Sequence, residues 1–415
     1  MHTTGNKCLF VFTKQFPFGT AEQYLVDEVP YLLEQFQKIV FVPCELFDLQ
    51  GKVKRTLPSQ CEVLLLNEEG KGKRTPKNYL KLVSVFTAEF FRCRSKSWFI
   101  KERKRYASVL TYQLHLSFVF EEILKQRYSG YHHTFYAYWI HNSSIMLSLM
   151  KERGAIRDFI CRGHSIDLYE SDWALVRYIK ILPFYHYIIQ NASRVYAISG
   201  HGADYLKSRF PALHQKFKFS RLGVIAGGDN SWISDHEFII VSCSNFTENK
   251  NVRKIAEVVG HLRGNVRWIH FGNGPEDAVN AVKKIIERYP QRITAELRGY
   301  TPNEEIRKFY AEHQVNLFIN LSEAEGIPVS MMEAISFGIP VLASAVYGNP
   351  EVANELTGFS VPCHSSPSEI AGVITAFQND PEEQKRIRLS AKKYYREYFS
   401  AAVNYREFSK EIANL

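Results

Sequence analysis

Glu325 and Glu333, separated by seven residues, lie in the stretch SEAEGIPVSMMEAISFGIPVLASAVYGNPE, residues 322–351. Between them Gly326-Ile327-Pro328 forms a turn that opens a helix, expected to start at Pro328. Residues 315–320 just upstream and 339–343 just downstream read as short buried strands. A strand, a glycine turn, a helix and a second strand make one βαβ unit. Such a unit points free backbone N–H groups, here those around Gly326, Ile327 and Val329, at whatever sits above the strand ends. Pro328 has no N–H to orphan and its φ is already set for helix. A helix N-terminus carries roughly half a positive charge, which suits a phosphate. Glu333, one to two turns into the helix, can accept hydrogen bonds from both hydroxyls of a ribose. Phosphate and ribose recognition together are the chemistry of a nucleotide sugar.

Positioning such groups takes parallel sheets, and the chain alternates strands and helices almost throughout. Strands are expected at 7–13, 39–42, 62–66, 134–139, 159–162 and 194–199. Helices are expected at 21–35, 142–153, 172–190 and 200–209, with 76–127 mainly helical. The pattern lapses at GVIAGGDNSWISD, residues 223–235, and then restarts with strands at 238–242, 266–271 and 293–298 and helices at 252–262, 276–289 and 303–312. At 415 residues the chain suits two domains. The expected class is α/β: an N-terminal Rossmann-like domain over 1–224, a linker over 225–235, and a second Rossmann-like domain over 236–385. The aromatic-rich tail, 386–415, reads as closing helices.

Other residues stand at strand ends, where ligands enter such sheets. Gly19, in the loop FPFGTAE after the first strand, lets a backbone approach a diphosphate closely. His164, in RGHSIDLY after the strand 159–162, can hydrogen-bond a sugar hydroxyl or a leaving phosphate. His141 reads as packing. Gly272-Asn-Gly-Pro275 and Arg298-Gly-Tyr300 are turns.

The 322–351 segment resembles the E-x7-E signature of retaining glycosyltransferases of the GT-B fold, family 4 of that enzyme class. The resemblance includes EGxP, EAxxxGxPV and a later GxxEV at Gly348, Glu351 and Val352, in order. It is dense from about 240 to 362 and thin from 8 to 225. It implies two facing Rossmann-like domains, the final helix crossing back to the first. It also implies transfer of a sugar from a nucleotide donor to a glycan or polyprenyl-linked acceptor, with retention at the anomeric carbon. The site would hold no cofactor and no metal. R-x-H-x-x-D-x-Y is similar to a bacterial branch acting in surface polysaccharide synthesis, such as capsule or O-antigen. By resemblance Lys250 neutralises the donor diphosphate, Asn245 stands where the family usually has an arginine, and Glu325 binds donor-sugar hydroxyls. Tyr300 lies beside the base, and Thr20 replaces the second glycine of a Gly-Gly loop. Arg253 or a residue of the other domain is a candidate to replace the cation missing at Asn245.

Composition sets the remaining bounds. Seven scattered cysteines without any C-x-x-C indicate thiols in a reducing compartment. No D-x-D, Walker A, zinc constellation or G-x-S-x-G occurs. The opening residues hold too short an apolar run for a signal peptide, and no window matches a membrane span, so a cytoplasmic location is expected. The net charge of +9 is concentrated: residues 51–106 carry 15 Lys/Arg against 5 Glu. Interleaved aromatics there favour an anionic membrane surface, on the inner face of the plasma membrane. A nucleic-acid patch has a similar composition, and a solvated helix with its aromatics turned inward is the third reading. A basic nucleic-acid-binding protein leaves the E-x7-E unit unexplained, which makes nucleic acid the disfavoured partner. A non-catalytic GT-B scaffold is the other alternative, favoured only by Asn245.

Overall fold

The computed structural model describes residues 6–19, 22–45, 54–66, 76–93, 95–169, 184–231, 237–289 and 294–415. The chain forms two compact units, Met1–Ser220 with Tyr405–Leu415, and Arg221–Asn404.

The first unit holds seven parallel strands: β1 Lys7–Thr13, β2 Lys38–Pro43, β3 Cys61–Val63, β4 His132–Ala137, β5 Ile160–Gly163, β6 Arg194–Ala197 and β7 Phe217–Phe219. Their order is β3-β2-β1-β4-β5-β6-β7. Leu9, Val11, Ile39, Phe41, Tyr136 and Ile160 are buried because the connecting helices cover the sheet, as parallel sheets require. The second unit repeats the plan with six parallel strands: β8 Phe238–Cys243, β9 Val266–Phe271, β10 Thr294–Leu297, β11 Leu317–Asn320, β12 Val341–Ser344 and β13 Gly358–Val361. Here the order is β10-β9-β8-β11-β12-β13, the arrangement of a dinucleotide-binding sheet. In each sheet the order reverses once, between β1 and β4 and between β8 and β11. Loops that leave neighbouring strands in opposite directions open a crevice there.

Strands β7 and β13, each at an edge of its sheet, were not anticipated. The region 76–127 is two helices, Pro76–Arg92 and Lys96–Arg127, the second capped by the Ser95 hydroxyl accepting from Trp98 N–H. The first helix begins at Leu25, later than expected. Of the helix expected at 172–190, Tyr185–Asn191 is described, and 170–183 lies outside the described residues.

The stretch expected as a linker is bonded into the second unit as far as it is described. Just before it, Val224 N–H donates to Phe399 O at 2.9 Å and Val224 O accepts from the Tyr395 hydroxyl at 2.9 Å; within it, Asn230 N–H donates to Phe337 O at 3.2 Å. Asn230 Nδ2 donates to the carbonyls of Tyr310 and His313. The tail divides between the units: the helix Pro381–Tyr398 belongs to the second, whereas Tyr405–Leu415 completes the first. Phe408 and Ile412 are buried there, with Phe408 against Tyr136 and Tyr196.

Candidate functional site

In the second unit the loop after β8 is held by a relay of buried polar groups. The Trp268 indole donates to Ser242 Oγ at 2.9 Å, and the Ser242 hydroxyl bonds His270 Nδ1 at 2.8 Å. His270 Nε2 lies 3.0 Å from Ser244 O. A carbonyl only accepts, so the Nε2 proton is fixed and Nδ1 is the acceptor. Burial pushes the His270 pKa down to about 4, which keeps the ring neutral. Gly272, at φ +146°, closes over this loop; a Cβ there would overlap the Ser244 carbonyl.

The loop ends in one turn, Glu248–Lys250. The Lys250 ammonium pairs with the Glu325 carboxylate. Asn249 Nδ2 donates to Ala324 O at 3.0 Å, and Glu323 N–H donates to Asn249 O at 2.9 Å. Two loops from strands flanking the order reversal are therefore stitched together, with a mostly buried carboxylate and a cation at the seam. Asn245 is exposed on the same loop. Arg253 opens on a groove lined by Thr247, Glu248, Glu257 and Asp277, and Lys250 and Glu325 are not among the residues lining it.

The turn Gly326-Ile327-Pro328 is buried, and Gly348 packs on its back. Pro328 is the N-cap, at φ −71° and ψ 115°, so the helix runs Val329–Ser336 and starts one residue later than expected. Its φ suits a helix but its ψ is extended, which turns the chain into the helix axis. Glu333 is 7 % exposed, and its Oε1 accepts from Asn303 Nδ2 at 2.6 Å. The Cys243 thiol, at the end of β8, is pushed up to about 12 by burial and then by the Glu333 charge. Tyr300 is half exposed, and its N–H donates to Asn273 Oδ1 at 2.7 Å. The turns after β9 and β10 are joined further by Gly272 N–H donating to Gly299 O at 2.8 Å.

In the first unit Glu22 organises the loop after β1. Its carboxylate accepts from the N–H groups of Lys14, Gln15 and Phe16 at 2.8–3.0 Å, and from the Trp139 indole at 2.6 Å. Gly19 sits in this loop at φ +63°; Thr20 lies outside the described residues. His164 follows β5 and is 6 % exposed, its ring 4.2 Å from that of Trp139 and 4.9 Å from that of Tyr138. Neither ring nitrogen has a hydrogen-bond partner, and Nδ1 is 3.9 Å from Asp167 Oδ2, beyond bonding reach. Asp167 instead accepts from the N–H groups of His164, Ser165 and Ile140. Burial lowers the His164 pKa although Asp167 opposes it. The ring is thus a neutral, buried group with two nitrogens to offer. Burial also holds the His141 pKa at about 4.

Arg162, the first residue of the R-x-H-x-x-D-x-Y pattern, serves the fold instead. It is fully buried, ion-paired to Glu28 Oε2 at 2.8 Å and stacked 3.8 Å from the Phe408 ring. Removing either partner of such a pair strands a buried charge, at about 3–5 kcal/mol. Tyr169 donates or accepts with His201 Nδ1 at 2.9 Å.

The aromatics of the basic block divide between the faces expected for it. Phe99 is buried, and Phe86 and Phe90 pack against it at 4.9 and 5.7 Å. The exposed apolar groups are Leu80, Val83, Phe91 and Ile100, accompanied by exposed Lys96, Lys101, Arg103, Lys104 and Arg105. Lys71, Lys73, Arg74 and Arg94 lie outside the described residues. Among the described residues no helix is long and apolar enough to cross a membrane.

Sequence reasoning missed Glu22, Asn249, His270 and Asn303, the groups that hold the candidate residues in place. A polar residue opening a helix after a proline, as Asn303 does, was the only local signal available.

The family described as Glycosyl transferases group 1 matches residues 229–394. A protein of Escherichia coli K12 named as the colanic acid biosynthesis glycosyltransferase WcaL is 26% identical over 290 residues, covering 66% of this chain and 68% of its own. The amylovoran biosynthesis glycosyltransferase AmsK of Erwinia amylovora is 25% identical over 212 residues, 48% of this chain and 51% of its own. Among solved structures, Anabaena HepE in complex with UDP superposes with a TM-score of 0.63 at 16% identity, covering 99% of this chain and all of that one. The fold is GT-B.

Proposed function

We propose that the protein is a retaining glycosyltransferase of family 4 that moves a sugar from a nucleotide donor to a glycan or lipid-linked glycan in surface polysaccharide synthesis. The glycosyltransferase activity and the polysaccharide setting rest on the group 1 match together with the colanic acid and amylovoran relatives. The observation that carries the chemistry is the seam of Lys250 and Glu325 beside the Gly326–Val329 turn, with Glu333 behind it. Lys250 and the turn's N–H groups hold the diphosphate and stabilise the charge that grows as the sugar leaves. Glu333 binds ribose, Glu325 the hydroxyls of the donor sugar, and Tyr300 lies at the base. Taken by itself, the first unit offers the His164 ring nitrogens to a sugar hydroxyl, and Gly19 leaves room for close backbone approach to a phosphate.

Retention follows from attack on the face the leaving group departs. The acceptor oxygen forms its bond to the anomeric carbon as the carbon–oxygen bond to phosphate breaks. The acceptor's proton passes to the departing phosphate. No metal enters the scheme. The HepE complexes contain UDP and UDP-glucose, so uridine nucleotide sugars are the first donors to test. Incubation with a panel of nucleotide sugars and a polyprenyl-linked acceptor, with the product's anomeric configuration read by NMR, tests the reading. Transfer with inversion overturns retention. Binding of no nucleotide sugar overturns the activity and supports the scaffold reading, which Asn245 favours.

In this reading the enzyme docks on an anionic cytoplasmic leaflet, where a lipid-linked acceptor is presented; the exposed apolar and cationic groups of the helices Pro76–Arg92 and Lys96–Arg127 support it.

A further inference from the structure

Glu333 does not meet a ligand alone. Asn303 is the first residue of the helix Asn303–Glu312, and its Nδ2 donates to Glu333 Oε1. That bond fixes the amide's orientation, because turning it over would face the amide oxygen onto a carboxylate. The other end, Asn303 Oδ1, is buried without a hydrogen-bond partner. A buried acceptor left unmet is unfavourable, and a ligand hydroxyl is one group that would satisfy it. The side chain sits next to a carboxylate that suits hydroxyl donors, within the unit that the glycosyltransferase family matches.

We propose that Asn303 completes the ribose subsite. One hydroxyl of the ribose cis-diol donates to Glu333 and the other to Asn303 Oδ1. Asn303 thereby makes the site require an intact diol, so that 2′-deoxy and 3′-deoxy nucleotides are rejected. The inference rests on reading this unit as the nucleotide-sugar site. A diol offers two donors on adjacent carbons. Glu333 and Asn303 offer two acceptors on bonded side chains, one of them anionic, so neither hydroxyl is left unpaired.

The test measures binding of UDP and GDP, with their 2′-deoxy and 3′-deoxy analogues, by calorimetry on the full chain. The wild type is expected to prefer the ribonucleotide by about tenfold or more over each deoxy analogue, the range of one lost hydrogen bond to a buried group. Asn303→Ala should erase the discrimination at one hydroxyl and keep it at the other. A variant that weakens ribose and deoxyribose forms equally, or changes neither, overturns the proposal. A second variant, Asn303→Asp, places a carboxylate against Glu333. Two facing carboxylates share a proton, so its UDP affinity should recover as pH is lowered toward the carboxylate range. A flat pH profile overturns the assigned contact. Glu333→Ala separates the two levels. If it weakens UDP binding while Asn303→Ala keeps both discriminations, this inference fails and the nucleotide reading stands. If the wild type binds neither UDP nor GDP, both fail.

Discussion

Gly348→Ala tests whether the Gly326–Pro328 turn holds the diphosphate. Gly348 has an ordinary φ of −85°, so alanine meets no backbone strain there. The obstacle is space. A Cβ would overlap the Gly326 carbonyl oxygen and stand 2.9 Å from its carbon and 3.0 Å from Ile327 Cγ1. The Gly326 oxygen, 1.7 Å from that Cβ, sets the demand: ordinary packing lies at about 3.5 Å, so the turn must retreat by roughly 1.5 Å. Overpacking of that kind costs about 1–3 kcal/mol, which lowers the melting midpoint of a domain this size by several degrees, at about 2–4 °C per kcal/mol. The effect on function should be larger. Misplacing a positioning group by about 1 Å costs roughly 10²-fold in turnover, because the N–H groups following Gly326 no longer aim at the phosphate oxygens. The assay pairs thermal melting with nucleotide binding and turnover. Gly372→Ala serves as control, since a Cβ there meets nothing within 4 Å. If Gly348→Ala melts lower yet keeps wild-type affinity and kcat/KM, the turn is not the diphosphate cradle.

Other expectations follow from the same geometry. Lys250→Ala should reduce kcat about 10²-fold or more with a smaller change in donor affinity, since its cation acts most on charge that develops as the sugar leaves; an unchanged kcat in steady-state kinetics would remove Lys250 from the site. Activity should survive EDTA, and full loss restored by Mg²⁺ or Mn²⁺ would refute the metal-free scheme. Stability should fall on acidification from about pH 6.5 to 4, because the unfolded chain protonates its histidines while buried His141 and His270, at about 4, stay neutral. Each contributes on the order of 3 kcal/mol to that loss, so His270→Gln should flatten the urea-unfolding profile over this window, and an identical profile would show that His270 does not titrate as described. Replacing Lys101, Arg103, Lys104 and Arg105 with Gln should release the protein from anionic vesicles in a salt-dependent assay; equal sedimentation with neutral and anionic vesicles would show a solvated face only.

The alternation of strand and helix and the doubled parallel architecture were legible in the sequence. They depend on local periodicity and on turn chemistry that a window of about ten residues carries. So did the pairing of Glu325 and Glu333 around one helix start, since their spacing is along one chain segment. What folding alone decided is which distant groups hold these residues. Glu22 reaches Trp139 across 117 residues and Asn303 reaches Glu333 across 30. Lys250 meets Glu325 across 75. No periodicity encodes such contacts, because each depends on the order of strands in the sheet. Arg162 shows the same limit from the other side. It shares a motif with His164, yet Arg162 lies within β5 while His164 lies just past the strand's end, and Arg162 is ion-paired to Glu28 against the Phe408 ring. The segment at 223–231 has no periodicity to show what it touches, while Val224 finds partners in Phe399 and Tyr395, more than 170 residues away. Hydrophobic pattern is a property of neighbours in sequence, whereas polar satisfaction is a property of neighbours in space.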